Sequence, residues 1–224
     1  MTAAAQTLRF QVEADNSVSA LLDAHDAPIA CYVLAHGAGA GMTHPFMAST
    51  AQGLAARGIA CLRYQFPYME SGGKRVDPPA LAHATVRAAV TCAAQQLPGL
   101  PLVAGGKSFG GRMTSQAQAA APLPGVRGLV FIGFPLHPEG KPSVTRAEHL
   151  AAVSLPMLFL QGTRDGLAEE ALIRQVTGEL GERATLRLID DADHAFHVRA
   201  RSGRNDAQVL DALLDDIVAW VAAR

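Results

Sequence analysis

Apolar and polar residues alternate along Thr7 to Val12 and, more weakly, along Val18 to Leu22, the period of strands with one covered face. The Asp15-Asn16 pair between them is a turn signal, so the two runs predict a hairpin. The pattern then changes. Ile29 to Leu34 is an unbroken apolar run, expected of a strand covered on both faces. Pro45 to Arg57 carries Phe46, Met47, Leu54 and Ala55 at helical spacing and stops at Gly58. The alternation continues with strands at Ile59 to Tyr64, Leu102 to Gly105, Leu129 to Phe134, Pro156 to Gln161 and Ala184 to Ile189. Helices are expected at Pro79 to Gln96, Gly110 to Ala120, Ala168 to Leu180 and Asp206 to Ala223.

Strands alternating with helices make βαβ units, hence a parallel sheet with right-handed crossovers and helices on both faces. The fold class read from the pattern is α/β: a three-layer α/β/α sandwich, mostly parallel, with an antiparallel N-terminal hairpin at one edge. Ligands of such sheets bind at the carboxyl ends of the strands. The residues just after each strand are therefore the candidates for chemistry.

Composition narrows the class. With 224 residues, one domain over 1–224 is expected. Nineteen Lys and Arg balance twenty Asp and Glu, which leaves no basic excess for nucleic acid or an anionic membrane. No run of 18 apolar residues is present to span a bilayer. Met1 to Phe10 lacks the basic and apolar regions of a signal peptide. Cys31, Cys61 and Cys92 are odd in number and sit in apolar segments, so reduced buried thiols in a cytoplasmic protein are expected, without disulfide or zinc.

After the strand ending at Gly105 comes Gly106-Lys107-Ser108-Phe109-Gly110, a GxSxG pattern between strand and helix. A serine there sits on a sharp, strained turn, and the residues two before and two after approach other backbone too closely for side chains. The Phe109 amide, at a helix N-terminus, faces any oxyanion formed on an attacked carbonyl. Gly106-Lys107-Ser108 also ends a phosphate-loop pattern. That loop needs a glycine where Pro101 stands and flexibility where Leu102 to Ala104 reads as strand. The nucleotide reading fails on both counts.

A nucleophilic serine needs a base and a group that orients it, here in the chain order Ser, Asp or Glu, His. Asp165 follows one strand and His194 the next. His197 lies three residues from His194, so by spacing either histidine can be the base. Asp191, Asp193, His194 and His197 also form a cluster with metal-ligand chemistry, although no further ligand is evident. No metal or other cofactor is expected. The run Leu34-Ala35-His36-Gly37-Ala38-Gly39-Ala40-Gly41-Met42 gives a glycine-rich loop able to supply a second oxyanion donor. Its glycines alternate, and no acidic residue ends the next strand, which disfavours a dinucleotide site.

Together these residues resemble the α/β-hydrolase superfamily, and within it the small, lidless, dienelactone-hydrolase-like "predicted hydrolase" group. The matching segments are His36 to Met42 with His44-Pro45-Phe46-Met47, Arg63 to Tyr68, Gly105 to Met113, Gly133 to Pro138, Gln161 to Asp165 and Asp193 to Phe196. The resemblance implies Ser108 as nucleophile, His194 as base, Asp165 as orienting acid, and oxyanion donors at Phe109 and around Ala38. It implies that His36 supports its loop. Lys107 departs from the His, Tyr or Trp that many hydrolases carry there.

The expected activity is a serine hydrolase acting on a small ester or thioester through an acyl-enzyme. A non-catalytic scaffold and a peptidase of the same fold are the alternatives. Met42, Phe66, Tyr68, Phe134, Leu136 and His137 follow strand ends on the active face and are expected to line the pocket. The short stretch between Phe134 and Ser154 leaves no room for a lid, so the site is expected to be open.

Overall fold

The computed structural model describes residues 4–14 and 16–224. Asp15 of the expected hairpin turn, and Met1, Thr2 and Ala3 of the N-terminal stretch, lie outside the described residues. Eight strands form one sheet: β1 (Gln6–Glu13), β2 (Asn16–Asp23), β3 (Ala30–Ala35), β4 (Ile59–Tyr64), β5 (Leu102–Lys107), β6 (Val126–Ile132), β7 (Met157–Gly162) and β8 (Ala184–Ile189). Their spatial order is β1-β2-β4-β3-β5-β6-β7-β8. The hairpin β1–β2 is antiparallel, with Phe10 opposite Val18, and β2 runs antiparallel to β4. All pairs from β4 to β8 are parallel.

The helices are α1 (Pro45–Ala56), α2 (Pro67–Glu70), α3 (Pro79–Gln96), α4 (Phe109–Ala120), α5 (Glu170–Leu180) and α6 (Asp206–Ala222). Alternate residues of β3 feed two separate cores. Cys31, Val33 and Ala35 pack in one with Val86 and Ala89 of α3, while Tyr32 and Leu34 pack in the other with Leu54 of α1 and Ile217 of α6. That is why the strand reads as an unbroken apolar run: both of its faces are covered.

Two expected starts shift. β6 begins at Val126 rather than Leu129 because Gly128 is a strand residue, its missing side chain giving room to Trp220, whose ring would lie 2.6 Å from a Cβ there. α5 starts at Glu170, since the Leu167 amide is capped by the Asp165 carboxylate at 2.8 Å instead of entering a helix. Two short elements carry too little periodicity to be read from sequence: α2 and a 3₁₀ segment, Thr145–Ala152.

The three cysteines are buried and unpaired, and burial pushes the Cys31 thiol up to about 12. Among the described residues, no helix is long and apolar enough to cross a membrane.

Candidate active site

Ser108 stands between β5 and α4 with φ 50° and ψ −115°, a conformation few non-glycine residues adopt. The turn can be this sharp because its neighbours lack side chains. A Cβ on Gly106 would lie 2.2 Å from the Ala35 carbonyl oxygen, and one on Gly110 would lie 2.6 Å from the carbonyl oxygens of Ala35 and His36. The elbow is thus pressed against the end of β3. Its own amide donates to the Ile132 carbonyl at 3.1 Å, which fixes it to β6 on the other side.

Asp165 follows β7 and His194 follows β8, the last two strands in the sheet order. Ser108 Oγ lies 2.9 Å from His194 Nε2, and His194 Nδ1 lies 2.7 Å from Asp165 Oδ2. Asp165 has no proton to give as a carboxylate, so Nδ1 is the donor and Nε2 is left to accept the serine proton. The Asp165 side chain is fully buried, and its oxygens also accept from Gln161 Nε2 at 2.5 Å and the Leu167 amide at 2.8 Å. Gln161 accepts in turn from the Phe134 amide at 2.9 Å. It is a supporting residue that sequence reasoning passed over, although it heads the Gln161 to Asp165 segment.

The loop bearing His194 is braced by its acidic residues. Asp191, at φ 57°, accepts from the Arg199 amide at 3.0 Å and pairs with the Arg199 guanidinium. Asp193 Oδ1 accepts from the Ala195 and His197 amides at 2.9 and 3.0 Å. His197 pairs with Asp206 Oδ2 at 2.7 Å on the exposed surface. Of the two histidines, the structure brings only His194 to Ser108.

The glycine-rich loop after β3 is held by the segment after β4. The Gly39 amide donates to Tyr68 Oη at 3.2 Å, the Met42 amide donates to Gln65 Oε1 at 2.9 Å, and Arg63 donates to the Met42 carbonyl at 2.9 Å. Arg63 is itself buried against Asp23, with Nε 2.9 Å from Oδ2. His36 lies within the same frame: its Nε2 accepts from the Phe66 amide, and its Nδ1 donates to the Gly37 carbonyl. No acceptor is found for the Ala38 or Phe109 amides among the described residues.

A cavity of about 330 Å³ opens at Ser108 and His194, walled by Ala38, Ala40, Phe46, Met47, Leu167 and Ala195. Its lining is largely apolar. The structure corrects the expected pocket residues. Met42, Phe66, Tyr68, Phe134, Leu136 and His137 are all buried and none of them lines the cavity. They follow strand ends, but Phe66, Tyr68, Phe134 and Leu136 pack into the core that holds Val86 and Ala89 of α3, whereas Met47 packs into the other. Phe66 packs edge-on to Phe109 at 5.3 Å, and Phe134 packs against Phe131 at 5.1 Å. Phe46 and Met47, in the His44 to Met47 segment, take the place expected of them, because α1 starts at the mouth of the site.

Comparisons with known proteins bear on the family and the fold. The profile described as alpha/beta hydrolase domain matches residues 28–222. A lidless serine hydrolase from Xanthomonas campestris superposes with a TM-score of 0.74 at 19% identity, covering 98% of this chain and 96% of that one. A dienelactone hydrolase from Anabaena variabilis gives 0.75 at 19% identity, with 99% of each chain covered. The esterase domain of a Rhodothermus marinus protein gives 0.73 at 16% identity, covering 97% and 98%. At such identities the likeness speaks to the fold. Between β6 and β7 this chain carries only the short 3₁₀ segment where a lid would be inserted. By profile, the chain belongs to the alpha/beta hydrolase domain family, and its fold agrees.

Proposed function

We propose that this chain hydrolyses a carboxylic ester or thioester of a small substrate through a Ser108–His194–Asp165 triad. The observation that carries the reading is the unbroken relay from Ser108 Oγ through both nitrogens of His194 to the buried Asp165. Ser108 Oγ attacks the carbonyl carbon as its proton passes to His194 Nε2. The carbonyl oxygen, now negative, is held by the Ala38 and Phe109 amides. Asp165 stabilises the imidazolium while the leaving alcohol or thiol takes the proton. Water then gives a proton to the same nitrogen as it attacks the acyl-enzyme, and Nε2 returns that proton to Ser108 Oγ as the bond to the acyl group breaks and the acid leaves.

The apolar lining of the cavity supports an uncharged acyl or alkyl group as its occupant. One domain carries the whole site, and the buried, unpaired thiols support a cytoplasmic setting. The alternatives of a scaffold and a peptidase are separated by one experiment. A fluorophosphonate probe is expected to label Ser108, read by mass spectrometry, and His194→Ala is expected to abolish labelling. An ester panel is expected to show turnover, falling by 10³-fold or more in Ser108→Ala. Absence of labelling and turnover would leave the scaffold reading standing, and turnover confined to peptides would leave the peptidase.

A further inference from the structure

Lys107 immediately precedes Ser108, and its side chain runs beneath the base. Nζ donates to the main-chain carbonyl of His194 and stands 5.2 Å from the centre of the Phe196 ring. A methyl group placed on Gly133 would touch both Lys107 Nζ, at 2.9 Å, and His194 Nδ1, at 3.5 Å. Ammonium and imidazole therefore flank a single glycine at the end of β6. Lys107 thus spans the distance between the strand that carries the nucleophile and the loop that carries the base.

We propose that Lys107 is a positioning residue of the hydrolytic site, tying the His194 loop to the nucleophile elbow and keeping a positive charge beside the imidazole. The proposal rests on the triad reading given above. Two physical effects follow. The tether is a charge-assisted hydrogen bond to a carbonyl of the residue that must stay in line with Ser108, and small misplacements of a base are costly in rate. The ammonium and the Asp165 carboxylate, of opposite sign, act in opposite senses on the charge that the imidazole takes up during the reaction.

The titratable groups facing the ammonium are Asp165 at the end of β7 and Asp193 and His194 in the loop after β8. The loop after β3 presents Gly37 and the end of β6 presents Gly133, neither of which titrates. Burial lowers the Lys107 ammonium to about 8, with Asp165 and Asp193 pulling the other way, so it remains charged at neutral pH.

Two variants separate tether from charge. Lys107→Met removes both, and Lys107→Gln keeps an N–H donor but no charge. The pH dependence of kcat/KM on a soluble ester is measured for each, with folding checked by thermal melting. Lys107→Met is expected to lose about tenfold in kcat with KM within twofold of wild type. The acidic limb is expected to move up by about half a pH unit or more in both variants. Lys107→Gln is expected to recover most of kcat on the plateau. An acidic limb unmoved in Lys107→Gln overturns the proposal, as does a loss of kcat in Lys107→Met with no shift in pH dependence. Fluorophosphonate labelling of the wild type is run in parallel. A labelled Ser108 with unmoved profiles sinks the role of Lys107 alone, whereas an unlabelled Ser108 sinks the triad and this proposal with it.

Discussion

His36 Nε2 accepts the amide proton of Phe66 at 3.0 Å, and this bond ties the glycine-rich loop after β3 to the segment after β4. The other ring nitrogen donates to Gly37, so the imidazole is held neutral in one tautomer. Burial lowers its pKa to about 4, with the Gly37 carbonyl acting in the opposite sense. In the unfolded chain a histidine titrates near 6.5. Between pH 6.5 and 4 the unfolded state therefore binds a proton that the folded state refuses, and stability falls as pH falls through that window. The loss for His36 is at most on the order of 3 kcal/mol. His149, lowered to about 4 by burial and then by Arg112, adds to it. Calorimetric melting is expected to show a steep drop in Tm from pH 6.5 to 4 and a visibly shallower one for His36→Gln. Parallel curves for the two proteins would refute the assignment.

The buried carboxylate of Asp165 makes a different prediction. Asp165→Asn leaves a side chain that can donate where it must accept, which favours the wrong tautomer of His194. A fall of roughly 10³ to 10⁴ in kcat with little change in KM is expected from steady-state kinetics. Gln161→Leu acts one step further out. It strips a donor from Asp165 and leaves the Phe134 amide buried without an acceptor. That should cost about 1–3 kcal/mol of stability and about tenfold in kcat. If Gln161→Leu lowers Tm but leaves kcat intact, the bond to Asp165 is structural only.

These examples show which parts of the molecule the sequence exposes. The turn at Ser108 is legible because the residue types around it are forced by local geometry, as the 2.2 and 2.6 Å approaches at Gly106 and Gly110 demonstrate. Strands covered on both faces, such as β3, were legible from their apolar runs. The cavity walls were not. Whether Phe66 or Phe46 faces the cavity depends on which sheet face each segment turns toward after its strand, and periodicity ends where the strand ends. Gln161 is hidden for a related reason: within β7 it reads as one polar residue in an apolar run, and only the pairing of β6 with β7 brings it to the Phe134 amide.

The elbow itself is testable by a single methyl group. Gly110→Ala would press a Cβ against two carbonyl oxygens that belong to β3 and the start of the oxyanion loop. Backbone is the obstacle, so relief requires moving β3 or the first turn of α4. Activity is expected to fall by 10²-fold or more with a loss of about 2–4 kcal/mol in stability. Chemical denaturation and ester turnover check the two effects, and a variant equal to wild type in both would contradict the close packing.

Phe46 bears on which acyl groups fit. Its ring lies nearly parallel to that of Phe196, with 6.1 Å between centres and 15° between planes, and it walls the cavity beside Met47. Phe46→Ala removes an aromatic wall from a site already open to solvent. The optimum on a p-nitrophenyl ester ladder is expected to move to longer acyl chains by about two to four carbons, because each buried methylene adds about 0.8 kcal/mol of binding. The shortest esters, which lose a contact and gain nothing, are expected to react several-fold more slowly. An unmoved optimum would place the acyl group elsewhere.

The buried Lys107 ammonium costs the fold stability. Its pKa lies near 8, below the ordinary 10.5, because burial penalises the ammonium. Below pH 8 both folded and unfolded chains carry the charge, and the folded state bears the whole penalty. Between about pH 8 and 10.5 the folded state sheds a proton that the unfolded state keeps, so stability rises with pH there. Lys107→Met has no such penalty but loses the charge-assisted hydrogen bond to the His194 carbonyl, worth about 2 kcal/mol. The two effects leave the variant ahead by about 1 kcal/mol at pH 7, or roughly 2–4 °C in Tm for a chain of this size. Measured at pH 10, the difference should vanish or reverse. A stabler but slower enzyme at neutral pH would mark Lys107 as a residue held at the site for function, at the expense of stability. A Lys107→Met protein that melts lower than wild type at pH 7 would mean that the tether outweighs the buried charge.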